Sequence, residues 1–115
     1  MPSISVIIST YNKPHFLEKV LTGYCFQTFN DFEIIIADDG SSNETKEMIA
    51  KFDQLLPQKI YHVWHEDNGF RKCKILNAAI TKSSNDYLVF SDGDCIPDSH
   101  FLETHLRLAK NCLLY

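Results

Sequence analysis

Short, nearly unbroken apolar runs alternate along this chain with longer stretches of helical period, and no other feature limits the possible folds as strongly. Residues 4–9, 32–38, 60–65 and 86–91 are the strand candidates. The first two and the last are continuous runs rather than alternating ones, the pattern of strands covered on both faces in a parallel sheet. Between them, Leu17, Val20, Leu21 and Tyr24 recur at one-face spacing, as do Met48, Ile49, Phe52, Leu55 and Leu56. Pro14 suits a first helical turn, where its missing N–H costs nothing, and Ser41-x-x-Glu44 predicts a capping box for the second helix. Residues 72–82 repeat the helical pattern through Leu76, Ala79 and Ile80, and Asp98 is placed to cap a last helix carrying Phe101, Leu102, Leu106 and Ala109. The predicted order is βαβαβαβα. Right-handed crossovers then make a doubly wound, mostly parallel sheet whose ligands bind beyond the carboxyl ends of the strands.

Length and charge narrow the function. A chain of 115 residues with 44% apolar and 23% charged residues buries one modest core without needing a staple. A formal charge of −4 argues against nucleic acid as partner, because such binding relies on lysines and arginines that neutralise phosphates. Cys25, Cys73, Cys95 and Cys112 include no C-x-x-C pair, and the beginning of the chain has no basic leader. The apolar run 4–8 is too short to span a bilayer. The expectation is a cytoplasmic chain with reduced thiols and no transmembrane segment.

Immediately past the four strands stand Thr10-Tyr11-Asn12, Asp38-Asp39-Gly40-Ser41, Glu66-Asp67-Asn68-Gly69-Phe70-Arg71 and Asp92-Gly93-Asp94. Any one of these could be a plain turn, but four on the ligand edge point to a site. Two carboxylates as close as Asp92 and Asp94 repel unless a hard divalent cation, Mn²⁺ or Mg²⁺, lies between them and an anionic ligand; Gly93 permits close backbone approach. An acidic turn capping the next helix is the alternative. Asp38 and Asp39 raise the prospect of a dinucleotide fold, but the first loop reads Ser9-Thr10-Tyr11-Asn12-Lys13-Pro14 rather than G-x-G-x-x-G, and no G-x-x-x-x-G-K-[ST] loop occurs. Phosphate charge must then be met by metal and by side chains such as Arg71 and Lys72. A zinc site is disfavoured, since His62 and His65 stand three apart on a strand, on opposite faces, while His100 and His105 stand five apart on a helix.

These motifs resemble the inverting family 2 glycosyltransferases over nearly the whole chain. Residues 5–12 look like that family's opening strand and loop, residues 33–41 like its second strand and acidic loop, and Asp92-Gly93-Asp94 like its D-x-D metal motif. Residues 68–79 are similar to galactosyl- and N-acetylgalactosaminyl-transferring members and to chondroitin-type polymerases. The resemblance implies the N-terminal, nucleotide-sugar-binding part, residues 1–115, of an α/β domain of the Rossmann-like GT-A type, here truncated. It implies a UDP-sugar donor and a glycan or lipid-linked acceptor, with peripheral membrane association compatible with it. Thr10, Tyr11 and Asn12 would then form the nucleoside loop, with Tyr11 against the base. Beside Asp38, Asp39 would accept from the uracil N3–H, a donor that cytosine lacks. Arg71 would contact the nucleotide or its diphosphate, Asp92 and Gly93 would lie near ribose and sugar, and Asp94, with Asp92, would hold the metal. Family members are usually about twice this long, so the general base and acceptor site are expected beyond Tyr115. The fourth strand is accordingly expected to present an apolar edge that favours self-association. A sugar-1-phosphate nucleotidylyltransferase and a non-catalytic nucleotide-binding module are the alternatives.

Overall fold

The computed structural model describes residues 3–85 and 87–111, the last three by their backbone alone. Its elements run β1 (Ile4–Thr10), α1 (Pro14–Cys25), β2 (Phe32–Asp38), α2 (Asn43–Leu55), β3 (Ile60–Trp64), α3 (Lys72–Lys82), β4 (Tyr87–Asp92) and α4 (Phe101–Asn111). All strand pairs are parallel, in the order β3-β2-β1-β4. The expected α/β order is therefore the observed one. Asp86, Cys112, Tyr115 and the side chain of Ala109 lie outside the described residues.

Because β1 and β2 sit in the middle of the sheet, every residue of both strands is buried, which is why their sequences are continuous apolar runs. Alternate residues feed two separate cores. Ile4, Val6, Ile8, Ile34 and Ile36 pack with Leu17, Val20, Leu21 and Tyr24 of α1, with Ile49 and Phe52 of α2 and with Leu102 of α4. Ile7, Ile35 and Ala37 face the other way, onto Ile75 and Ala79 of α3. Truncating a fully buried isoleucine here to alanine costs about 2–5 kcal/mol.

Three local expectations need correction. The capping box does not form: Ser42, not Ser41, is the residue before α2, and no side chain caps that end. Ser41 is committed elsewhere, its Oγ accepting from the Asn12 amide at 2.8 Å and its own amide donating to Asp38 Oδ1 at 2.9 Å. Leu55 is 64% exposed, because the buried stripe of α2 runs through Thr45, Ile49 and Phe52 to Leu56 and Leu55 lies about 100° off it. On α3 the buried pair is Ile75 and Ala79, with Leu76 half-buried and Ile80 turned outward; among the described residues no second helix shares that face to cover it. Asp98 stands in the turn leading into α4, two residues short of the position directly before the helix, and there its Oδ2 accepts from the His100 amide at 3.0 Å. Buried Gln27 adds an unforeseen tie, accepting from the Leu102 amide at 3.1 Å and donating to the Asp98 carbonyl at 2.7 Å.

Candidate functional site

The connections from β1 to β2 and β2 to β3 step in one direction across the sheet, while β4 returns to the far side of β1. Above this reversal, at the carboxyl ends of the strands, lies a cleft of about 560 Å³, the place where open α/β sheets bind ligands. Its walls bring together Thr10, Tyr11, Asp39, Phe70, Lys72 and the Asp92-Gly93-Asp94 triplet.

On the β2 side the chain is held closely. The Asp39 amide donates to the Thr10 carbonyl at 3.1 Å, carrying the β1–β2 ladder one step past the strands. Asp39 is 7% exposed. Its Oδ2 accepts from the Arg71 amide at 2.9 Å, and its Oδ1 is hydrogen-bonded to His65 Nε2. Burial pushes the Asp39 carboxyl up, but the His65 bond, the Arg71 amide and the charge of both residues outweigh it and hold it below the usual range. The next residue, Gly40, has φ +94°, and an added Cβ would stand 2.5 Å from Asp67 Cα; only glycine serves there. This approach brings Asp67 to Tyr11, whose hydroxyl donates to Asp67 Oδ2 at 2.6 Å. That bond and the Asp67 charge push the exposed phenol up.

The β4 side is open. Ser9 Oγ and Lys72 Nζ both donate to Asp92 Oδ1, at 2.8 and 3.1 Å, and in that order they hold its carboxyl below the usual range. The Gly93 amide donates to the Ser9 carbonyl at 2.7 Å, and a Cβ at Gly93 would stand 3.0 Å from both that oxygen and Thr10 Oγ1. Thr10 Oγ1 is itself buried and has no partner among the described residues. Ligand atoms of Asp92, Asp94 and Cys95 all lie within 4.8 Å of one another and are exposed. Two carboxylates converging at an open edge, with a backbone pressed close by a glycine, form a donor set that fits a hard divalent cation retaining free positions. Cys95 directly follows the triplet in the chain, but sequence reasoning weighs it only for disulfides and not as a neighbour of this set.

The remaining sequence-predicted residues stand behind or beside the cleft rather than in its lining. Asp38 is fully buried between His62 Nε2 at 2.7 Å and the Ser41 amide. Asn12, at φ 47°, clamps two loops, its Oδ1 accepting from the Ser42 amide at 2.8 Å. Arg71 directs Nη2 to the Glu66 carbonyl at 2.7 Å, while its buried Nε has no partner among the described residues. His62 and His65, which sequence reasoning considers only as metal ligands, are instead the partners of Asp38, at the end of β2, and of Asp39, just past it. They do face opposite sides of the sheet, as their spacing requires. Cys25, Cys73 and Cys95 are free thiols, and no described helix is long and apolar enough to cross a membrane.

A doubly wound parallel sheet with a fixed carboxylate on one side of the cleft at its strand ends and an acidic, glycine-centred triplet on the other defines a class of open α/β domain. Comparison with known proteins narrows this: the sequence pattern described as Glycosyl transferase family 2 matches residues 5–112, and the chain belongs to that family. The chain is 31% identical over 106 residues to the chondroitin synthase of Escherichia coli, covering 91% of this chain and 15% of that protein. Among solved structures, S. aureus TarS 1-349 in complex with UDP-GlcNAc superposes with a TM-score of 0.79 at 23% identity, over 95% of this chain and 31% of TarS. A mannosyltransferase from Pyrobaculum calidifontis in complex with GDP-Man and Mn²⁺ gives a TM-score of 0.75 at 23% identity, over 84% of this chain and 28% of that one. These likenesses establish a shared GT-A fold. The chain spans only a minor part of each of these proteins.

Proposed function

We propose that this chain is the donor-binding part of a metal-dependent glycosyltransferase that takes a sugar from a UDP-linked donor to a hydroxyl of a glycan or lipid-linked acceptor, on the cytoplasmic side. The observation that carries this reading is the pairing of the two walls: a fixed, ionised acceptor at Asp39 across one cleft from the Asp92/Asp94 carboxylates. Asp39 accepts the uracil N3–H while Tyr11, beside it, lies against the base. Thr10 Oγ1, buried and unpaired, offers a hydrogen bond to the ligand at the cleft floor. Asn12 and Asp38 hold the loops that carry these groups.

Asp94 and Asp92 would hold Mn²⁺ or Mg²⁺, and the ion would supply Lewis-acid stabilisation of the negative charge on the departing diphosphate. Lys72, now on Asp92, is placed to follow the phosphates, and Arg71 adds positive charge at the start of α3. The UDP and Mn²⁺ named for solved neighbours, and the chondroitin synthase relative, support a nucleotide-sugar donor and a polysaccharide setting. Titration of UDP, GDP and CDP in the presence of Mn²⁺ tests the reading. UDP should bind tightest; equal affinities for the three would remove the role given to Asp39.

A further inference from the structure

Behind the cleft, two histidine–carboxylate pairs stand side by side, and the donor-binding reading explains neither. Residues 36 and 38 of β2 share a face with residues 62 and 64 of β3, so His62 reaches diagonally to Asp38. Residues 39 and 65 fall on the opposite face just past both strands, and there His65 meets Asp39. The first pair is closed off, with Asp38 fully buried. The second borders the ligand cleft, since Asp39 is one of its lining residues.

We propose that His65 is a positioning residue that sets nucleobase specificity: it holds Asp39 so that the carboxylate faces the cleft as an acceptor only, and it thereby favours a uracil over a cytosine nucleotide. The inference rests on the donor site proposed above. His65 is itself fixed, because its backbone amide donates to the Asp38 carbonyl at 3.4 Å and its side chain is 17% exposed. Toward an ionised carboxylate, the imidazole nitrogen in contact must carry the proton, so Nε2–H donates to Oδ1. The Arg71 amide occupies Oδ2. A carboxylate has about four lone-pair sites, and with one on each oxygen taken from behind, the others remain for a donor in the cleft. Uracil N3–H is such a donor, whereas cytosine N3 is an acceptor and meets this carboxylate with repulsion.

Removing His65 changes both properties on which the discrimination depends. The carboxylate is left with one fixed partner and can rotate about its side-chain bonds. Burial then favours its neutral form, and a neutral carboxyl can donate to cytosine N3. His62 lacks this reach, because its partner does not border the cleft.

The test measures dissociation constants of UDP and CDP, with Mn²⁺ present, for the wild-type chain and for His65→Ala, His65→Gln, His62→Ala and Asp39→Asn, with each variant's fold checked by circular dichroism. His65→Met, close in bulk but without a donor, replaces the alanine variant if that does not fold. We expect the UDP-over-CDP ratio to fall by at least about fivefold in His65→Ala or His65→Met, since a hydrogen bond involving a charged group is at stake. His65→Gln, whose amide can donate from a similar position, should return the ratio to within about twofold of wild type, and His62→Ala should keep it. A wild-type ratio in folded His65→Ala, or equal losses of UDP and CDP affinity there, overturns the assignment. So does a folded His65→Gln that behaves like the alanine variant. If Asp39→Asn removes a wild-type preference that His65→Ala leaves intact, His65 alone has been misassigned. No wild-type preference at all defeats the reading of Asp39 together with it.

Discussion

On the β2 side of the cleft, Asp39 is 7% exposed and both of its oxygens are bound from behind; on the β4 side, the Asp92 side chain is 54% exposed and Asp94 faces solvent. The contrast arises from position. Asp39 directly follows a central strand and is enclosed by the β3–α3 loop, while Asp92 ends a strand at the sheet edge, with β1 its sole strand neighbour among the described residues. A carboxylate fixed before the ligand arrives costs little reorganisation and discriminates by geometry. A pair of exposed carboxylates repels an anionic ligand until a cation joins them. On the proposed reading, one wall would supply selectivity, and the other would supply affinity that depends on metal.

The largest effect should come from the open wall. Asp94→Ala removes a proposed metal ligand and should lower UDP affinity measured with Mn²⁺ by about 100-fold, bringing it to the wild-type value without metal. Isothermal titration with and without Mn²⁺ checks this, and a full Mn²⁺ enhancement in the variant would place the metal elsewhere. Next, Asp39→Asn should weaken UDP about tenfold, or about 1.4 kcal/mol, while leaving the Mn²⁺ enhancement intact. If the two variants have interchangeable effects, the division between the walls is wrong.

Between the walls, Gly93→Ala should destabilise the fold by about 1–3 kcal/mol in chemical denaturation, because the new methyl meets the Ser9 carbonyl oxygen and Thr10 Oγ1 at 3.0 Å. A neutral outcome would mean that this backbone can give way.

A smaller effect concerns Glu33, at the opposite end of the sheet from the cleft. It is buried, accepting from Ser5 Oγ at 2.6 Å and from the Ser84 amide and hydroxyl, each at 2.8 Å. Burial pushes its carboxyl up, but these hydrogen bonds, with the Lys59 charge, bring it below the usual range. A folded-state value below the unfolded one adds stability that is fully present above the unfolded value and is lost as pH falls through the folded one. Glu33→Gln should therefore cost about 1–2 kcal/mol at neutral pH and less as the solution is acidified. Denaturation midpoints between pH 7 and 3 check the sign; a cost that grows on acidification contradicts it.

Much of the fold is legible in the sequence, because β1 and β2 are enclosed on both faces and tertiary burial is there written as an unbroken apolar run. The α1 face is equally plain, with Leu17, Val20, Leu21 and Tyr24 all buried. The features that sequence reading misses depend on registers between strands. Nothing local indicates that His65 will stand over Asp39, or that Ser41 will spend its hydroxyl on the Asn12 amide rather than on a helix cap. The acidic triplet is visible as a candidate site, while its neighbours Ser9 and Lys72 reach Asp92 only through the β1–β4 pairing and the packing of α3.

The division of labour between the walls is tested most directly by titrating the wild-type chain with UDP and with uridine, each with and without Mn²⁺. Uridine retains the base that Asp39 would read but lacks the diphosphate whose charge a metal would offset. Mn²⁺ should strengthen UDP binding by about 100-fold and leave uridine affinity unchanged. Equal Mn²⁺ enhancement of both ligands, or of neither, would contradict a division between a selective wall and a metal-dependent one.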